Sequence, residues 1–366
     1  MICGFIYSER GFRMRQRIGL LFLVLLLAAS PALGDFQRGK VLRDIFCKEA
    51  SQYSYLLYLP ENFDPDREAP WPVVFIMAPQ GGTPQLMKRF VSGAEQNGWI
   101  LAMSTQSSEK FEDSDAAVKA MVEDVFSSFP VDEKQCYAAG FRHGGDMAFM
   151  LAEEYPKNIA GLLVGNTIIP DKSIKVPAYI FCRAGGGARS RIVYNRSNLR
   201  NEHVIKFYVS DQNITAEEHN TEAMQWLQCQ YLNHEGGKEA IAHCSSQMMD
   251  FILMDSKSDP YAAYRRAELL SQLKRFPNSK EAKKLVSELK KNPEVKHCID
   301  AKKAMDRFID DYLNLLNHEY EKLYRESNEP EKAAEKFYAE FSDTPYAEII
   351  NELGMKTAFQ NQPVPF

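Results

Sequence analysis

The sequence is short of the features that most directly identify a function. Its 366 residues carry 44 Lys+Arg against 49 Asp+Glu, a balance that gives no case for nucleic acid, which would require a clustered basic face. Seven cysteines occur, but none has a Cys-x-x-Cys or Cys/His spacing typical of zinc, so we expect no metal and no cofactor. After residue 34, no apolar run is long enough to cross a bilayer. These absences give no case for a nucleic-acid-binding protein and argue against a zinc protein and a multi-spanning membrane protein.

The N-terminal segment has the pattern of a signal peptide. Met14-Arg15-Gln16-Arg17 supplies positive charge, residues 18–29 form an apolar run, and Ala32-Leu33-Gly34 has the small residues that precede a cleavage site. Residues 1–34 are therefore interpreted as an N-terminal extension and signal peptide, with the peptide itself spanning about 14–34. We expect a secreted or periplasmic protein with no membrane span after cleavage. An uncleaved anchor is the alternative.

Residues 35–235 predict an α/β domain. Short β-rich runs alternate with amphipathic helical stretches, such as 114–129 and 143–154, which favours a mostly parallel sheet with flanking helices. The β-rich runs are nearly continuous in apolar residues, as expected for strands covered on both faces. In chain order, the predicted strands are Tyr53–Leu59, Val73–Ala78, Ile100–Thr105, Gln135–Gly140, Gly161–Gly165, Ala178–Cys182 and Val204–Val209.

The pattern changes after residue 235. Residues 236–358 have helical periodicity and no convincing strand, which predicts an all-helical domain, and 359–366 form a tail that we expect to be flexible. The segments 276–279 and 339–347 each have the sense of a turn between two helical stretches, so helical-hairpin repeats are an alternative to a plain helical domain. Such helices would offer a contact surface for a protein partner.

A Gly-Phe-Arg-His-Gly segment, residues 140–144, joins a β-like run to a helical stretch. The chain over 51–234 resembles the α/β-hydrolase superfamily, and within it the secreted feruloyl-esterase and polyhydroxybutyrate-depolymerase-like branch. The resemblance is carried by this segment and by Tyr58-Leu59-Pro60, Gly81-Gly82-Thr83, Ala148, Leu151-Ala152 and Tyr155-Pro156. In that superfamily the turn reads Gly-x-Ser-x-Gly, and its serine is the nucleophile.

The resemblance implies a catalytic triad whose three positions are all substituted here. The nucleophile position holds Arg142, whose guanidinium stays protonated and cannot attack a carbonyl. The acid position falls near Gly186, in the loop 183–189, which contains no carboxylate, and the base position falls near Gln212. His219 lies about two turns too late, inside the next predicted helix. We therefore expect a catalytically inactive protein, a pseudoenzyme that acts in binding or as a scaffold.

The site retains groups suited to an anion. The resemblance implies oxyanion-type backbone donors at Gln80 and His143, and the amides at a helix N-terminus attract anions with or without catalysis. Arg142 and Arg183 are both placed at the carboxyl edge of the sheet, where open α/β sheets bind ligands. A small anionic ligand is thus one interpretation. The simpler alternative is that Arg142 pairs with an acidic residue, for which Asp113, Asp115 and Asp211 are candidates.

Two other functions remain open at this point. The chain could be an active carboxylic-ester hydrolase with a non-standard nucleophile, in which case His143 or His219 would be the base. The candidate nucleophiles are Thr105, Ser107, Ser108 and Ser190. It could also be a structural envelope protein with an empty cleft.

Six cysteines remain after the predicted cleavage, and they permit disulfides in an exported protein. Cys136 and Cys182 fall within predicted core strands, where free thiols are common. Cys229 and Cys244 lie close in sequence and could bridge two helices.

Overall fold

An eight-stranded sheet is the framework of the N-terminal half of the computed structural model, which describes residues 36–210, 215–313 and 329–354. The strands lie in the order β1-β2-β4-β3-β5-β6-β7-β8. Strand β2 is antiparallel to β1 and β4, and the other pairs are parallel. The strands are β1 (Val41–Phe46), β2 (Ser54–Tyr58), β3 (Trp71–Met77), β4 (Ile100–Ser104), β5 (Val131–Phe141), β6 (Ile159–Gly165), β7 (Ala178–Arg183) and β8 (His203–Tyr208).

This architecture confirms the predicted mostly parallel sheet with flanking helices. All seven predicted strands are present, and the sequence interpretation missed β1. That strand lies at the sheet edge, its side chains are partly exposed, and its register is interrupted between Leu42 and Ile45. It therefore lacks the buried apolar run that identified the others. The predicted signal peptide, the base position near Gln212 and the tail lie outside the described residues.

Helices cover both faces of the sheet. They are α1 (Pro84–Asn97), α2 (Ser114–Ser128), α3 (His143–Glu154), the short α4 (Arg189–Tyr194) and α5 (Glu217–Glu235). Helices α1 and α5 pack together over one face, where Phe90 and Trp226 join the same core as Tyr137 and Phe181. Helix α2 lies against the other face, where Phe126 contacts Phe75 edge-on. The sheet core is thus covered on both sides, as its apolar strands require.

The C-terminal part is helical in the described residues. It contains α6 (Lys238–Ser258), α7 (Pro260–Gln272), α8 (Ser279–Leu289), α9 (Pro293–Phe308), a π-helical turn (Ile309–Leu313), α10 (Glu329–Phe341) and α11 (Ala347–Gly354). A second apolar core lies among α5, α6, α7 and α8. The helical C-terminal region is thereby confirmed, whereas the boundary at 235 stays a prediction because the described residues from Arg38 onward form a single compact unit. No described helix combines the length and apolarity needed to cross a membrane.

A charged network joins the sheet to the helical region. The carboxylate of Glu222 on α5 accepts hydrogen bonds from Lys206 of β8 (2.6 Å), Tyr179 of β7 (3.1 Å) and Arg265 of α7 (3.1 Å). Burial raises the pKa of Glu222, but Lys206 and Arg265 outweigh it and bring the pKa to about 2. Burial also lowers the pKa of Lys206 despite this partner. The network therefore gains less stability than the Glu222 shift alone would suggest.

Candidate functional site

A strained turn links β5 to α3 at the carboxyl edge of the sheet. Strand β5 ends at Phe141, α3 begins at His143, and Arg142 between them has φ 53° and ψ −125°. Its amide donates to the Gly165 carbonyl (2.8 Å), and its carbonyl accepts from Gly145 (2.8 Å). This conformation is one that residues other than glycine seldom adopt. The strand–turn–helix predicted from residues 140–144 is present, with Arg142 at its tip.

The glycines on either side of Arg142 are required by close backbone contacts. A Cβ on Gly140 would lie 2.8 Å from the amide nitrogen of Gly145, and a Cβ on Gly144 would lie 2.6 Å from the carbonyl carbon of Met77 in β3. Real Cβ atoms do not approach backbone this closely, so neither position accepts a side chain. The turn therefore packs tightly between the first residues of α3 and the backbone of β3.

The Arg142 side chain is exposed at the tip of the turn. Neither Asp113 nor Asp115 forms an ion pair with it, and the third candidate, Asp211, lies outside the described residues. On α3, burial raises the pKa of Asp146, while a hydrogen bond from Thr167 and the nearby His143 lower it. The guanidinium of Arg142 is therefore not neutralised by an acid within the described chain.

The loop after β3 lies beside this turn, because Met77 at the end of β3 contacts Gly144. The loop is held against the segment that follows β4 by the buried Ser107 hydroxyl, which accepts from the Ala78 amide (3.0 Å) and lies 3.1 Å from the Ala78 carbonyl oxygen. Gly82 also donates to the Ser104 carbonyl (2.8 Å). Gln80 is exposed at the loop tip. The two segments that carry the predicted backbone donors, Gln80 and His143, are therefore neighbours.

A second polar group forms at the ends of β6, β7 and β8. The Asn166 side chain accepts from the Arg183 amide (2.8 Å) and donates to the Tyr208 hydroxyl (2.6 Å). Burial raises the pKa of Tyr208, an effect that Asn166 and Arg183 reduce. His219 of α5 packs its ring against Phe181 and Tyr208, and burial lowers its pKa, so the ring is neutral near pH 7.

The loop at the predicted acid position contains no carboxylate of its own. Gly186 donates to the Arg183 carbonyl (2.8 Å), and the buried Arg189 donates to the Gly186 carbonyl (2.8 Å). The nearby carboxylate comes instead from α11, where Glu352 lies against Gly185 so closely that a Cβ at Gly185 would overlap its Oε2. Sequence reasoning missed Glu352, because a contact so distant along the chain leaves no local signal.

Several buried nitrogens at this edge have no hydrogen-bond partner within the described chain. They are Nε2 of His143, Nε of Arg183 and Nδ1 of His219. Buried polar atoms are normally hydrogen-bonded, so these three nitrogens are donors or acceptors that the protein itself leaves available at this edge. All three lie near the carboxyl ends of β5, β7 and β8, the edge that contains Arg142.

The alternative nucleophiles do not form a hydrolytic pair in the described residues. The Ser107 hydroxyl is fully buried and hydrogen-bonded to the backbone of Ala78, and the Thr105 hydroxyl donates to the Ser54 carbonyl (2.8 Å). Ser108 is partly buried and accepts from the Lys110 amide (3.2 Å). Neither His143 nor His219 hydrogen-bonds to these side chains or to the remaining candidate, Ser190, in this part of the chain. No described group of three His, Cys, Asp or Glu residues is arranged to hold a metal ion.

Comparisons with known proteins give similarity at the level of fold. No protein-family model matches the sequence, and no curated protein does. Among solved structures, about half of the chain is similar to fluorophosphonate-binding serine hydrolase F of Staphylococcus aureus, with 11% identity, 51% of this chain and 96% of that chain covered, and a TM-score of 0.41. A ferulic acid esterase matches with 15% identity, coverage of 51% and 95%, and a TM-score of 0.39.

S-formylglutathione hydrolase of Staphylococcus aureus is another match, with 12% identity, coverage of 51% and 94%, and a TM-score of 0.41. These neighbours are serine hydrolases and esterases with the α/β-hydrolase fold. The resemblance stated from the sequence is confirmed as a resemblance of fold, for which the sheet order and the strained strand–turn–helix of this chain are the direct evidence.

Proposed function

We propose that this protein is an exported α/β-hydrolase-like binding protein that does not cleave esters. The observation that carries the proposal is Arg142 at the tip of an intact strand–turn–helix. A hydrolase of this fold needs a nucleophile at that point, and a guanidinium has neither a lone pair to donate nor a proton to release near pH 7. The loop at the acid position, near Gly186, is likewise without a carboxylate of its own.

We further propose that the cleft binds a small anion, with a carboxylate, phosphate or sulfate as the recognised group. Arg142 supplies an exposed guanidinium that no described acid neutralises. Arg183 supplies a second guanidinium, and its buried Nε has no hydrogen-bond partner in the described chain. The first amides of α3 point toward the same edge, where a helix N-terminus favours negative charge. Charged hydrogen bonds of this kind are about twice as strong as neutral ones.

The helical part is proposed as a surface for a protein partner, built from helical-hairpin repeats. Two turns support the repeat: the Ser279 amide donates to the Phe276 carbonyl (3.1 Å), and the Thr344 amide donates to the Phe341 carbonyl (3.1 Å). In both, the phenylalanine is buried and a buried alanine follows six residues later, at 282 and 347. Equivalent turns at equivalent spacing are what stacked helical hairpins require.

Hydrolysis is the first property to measure. The purified protein and its Arg142→Ala variant are incubated with short acyl and feruloyl esters, and we expect no turnover above buffer in either. Turnover by both proteins that a serine-reactive inhibitor removes would overturn the proposal, and it would mean that an active hydrolase uses a nucleophile away from the turn.

Anion binding is tested by thermal unfolding in increasing phosphate, sulfate or acetate, at constant ionic strength maintained with chloride. Ligands that bind the native state raise Tm with concentration. We expect this rise in the parent and its loss in Arg142→Ala and in Arg183→Ala. The control is Arg43→Ala, because Arg43 is an exposed arginine on the edge strand β1, which three strands separate from β5. Equal shifts in all four proteins would contradict the anion site.

A further inference from the structure

Two buried thiols face each other between α5 and α6. The Sγ of Cys229 lies 3.8 Å from the Sγ of Cys244 and 3.3 Å from the Sδ of Met248. Cys229 is fully buried, and Cys244 is 7% exposed. Both are free thiols. No similar contact joins the other described cysteines, since Cys136, for example, donates its thiol to a backbone carbonyl.

The separation of the two thiols is short enough for a covalent bond. A disulfide requires about 2.05 Å between its sulfurs, so the pair must close by only about 1.8 Å. A change of that size is within reach of side-chain rotation and a small displacement of one helix. The two residues also belong to consecutive helices, so the closed loop is short and its ends are already adjacent.

We propose that Cys229 and Cys244 form a dithiol site that takes a small disulfide, such as oxidised glutathione, as its co-substrate and becomes an intrachain disulfide. The Cys244 thiolate attacks one sulfur of the small disulfide and releases one thiol. The Cys229 thiolate then attacks the Cys244 sulfur and displaces the second thiol. One small disulfide is reduced to two thiols, the protein loses two hydrogens, and no metal or other oxidant is needed.

The environment assigns the two cysteines different parts in this exchange. Donation from the Cys229 thiol lowers the pKa of Cys244, whereas that hydrogen bond and burial raise the pKa of Cys229. Cys244 is also the more exposed of the two. Cys244 is therefore the thiol that reacts first with the small disulfide, when the pair of helices α5 and α6 opens locally. Cys229 then resolves the mixed disulfide.

The bond would restrain the joint between the two cores. Helix α5 belongs to the sheet core through Met224 and Trp226, and its Cys229 belongs to the helical core together with Cys244 of α6. A cross-link at this point fixes the first helix of the C-terminal region onto the last helix of the sheet. This property is independent of the anion site and of any hydrolysis.

The test begins with the reduced protein, freed of reductant and incubated with oxidised glutathione under native conditions. We expect a mass loss of two hydrogens, and Lys238 allows trypsin to separate the two cysteines, so they appear in one cross-linked pair of peptides. The oxidised protein should unfold at a higher temperature than the reduced one. Cys298→Ala is the matched control and should form the bond, whereas Cys229→Ala and Cys244→Ala should not.

Two results would overturn this proposal. One is a folded parent that retains all its thiols after oxidation. The other is a stable glutathione adduct on Cys244 in the parent, which would mean that Cys229 cannot reach it. If the alanine variants do not fold, the peptide map of the parent and of Cys298→Ala decides the question alone.

Discussion

The backbone strain at Arg142 yields a quantitative prediction. Because φ is 53° and ψ is −125°, the residue occupies a region that glycine tolerates and that other residues enter at a cost. Arg142→Gly should therefore stabilise the free protein, although it removes the side chain on which the proposed anion site depends. Arg142→Ala keeps the Cβ and hence the strain, so it serves as the matched comparison.

The expected magnitude follows from two opposing terms. Strain in such a region amounts to about 1–3 kcal/mol. Glycine has a more disordered unfolded state, which costs about 0.5–1 kcal/mol. The net gain for Arg142→Gly is then about 1 kcal/mol in the free energy of unfolding. For Arg142→Ala we expect a change within about 0.5 kcal/mol, since the exposed guanidinium forms no ion pair in the described chain.

Urea unfolding followed by tryptophan fluorescence measures this difference. The three tryptophans report the part that contains Arg142, because Trp71 lies in β3 and Trp99 and Trp226 belong to the core that packs on the sheet. With a urea dependence of about 2–3 kcal/mol/M, the gain moves the midpoint upward by about 0.4 M. If Arg142→Gly unfolds at or below the midpoint of Arg142→Ala, the turn stores no strain and the reasoning fails.

Three other substitutions test separate parts of the structure. Glu222→Gln should lower the free energy of unfolding by about 1–2 kcal/mol at pH 7, a figure discounted for the partial exposure of the side chain. Because folding lowers the pKa of Glu222 from 4.5 to about 2, this loss is complete above pH 4.5 and vanishes as the pH falls toward 2. Unfolding measured across that pH range tests the dependence. Gly144→Ala should cost about 3 kcal/mol or more, measured by urea unfolding, because its Cβ meets the backbone of β3; an unchanged midpoint would refute the contact. Arg275→Ala should cost about 1–3 kcal/mol in thermal unfolding, since Arg275 donates to three carbonyls at the end of α5; Lys274→Ala is the control.

Local pattern predicted the elements of the fold well. The strands from β2 to β7 are recognisable as apolar runs because both faces of the sheet are covered, and α3 is found over the predicted residues 143–154. Strand β8 was also predicted, although it is a partly exposed edge strand. Edge strand β1 has no such run, since its side chains are partly buried or exposed. An element is thus most easily recognised from the sequence where its side chains are buried.

The candidate site was predicted only in part. The position of Arg142 follows from the two glycines around it, because their backbone contacts demand a fixed spacing. The approach of Glu352 to Gly185, and the buried nitrogens of His143 and Arg183, depend on packing between elements far apart in the chain. No local pattern encodes such contacts. The charged groups brought together at this edge of the sheet could therefore be identified only from the structure.

The strained turn separates two properties that a catalytic motif usually joins. Gly140 and Gly144 are required because helix α3 starts against the backbone of β3 and β5, a requirement of packing that holds whatever residue lies between them. The tip side chain, by contrast, contributes nothing to that packing, since Arg142 is exposed. The glycine spacing is thus evidence for the fold alone, and the chemistry depends on the tip residue.

A turn that keeps its strain around an arginine is explained either by the architecture of the sheet or by a ligand that the arginine binds. Unfolding of Arg142→Gly with and without phosphate distinguishes the two, because only a ligand makes the unstrained variant the less stable one.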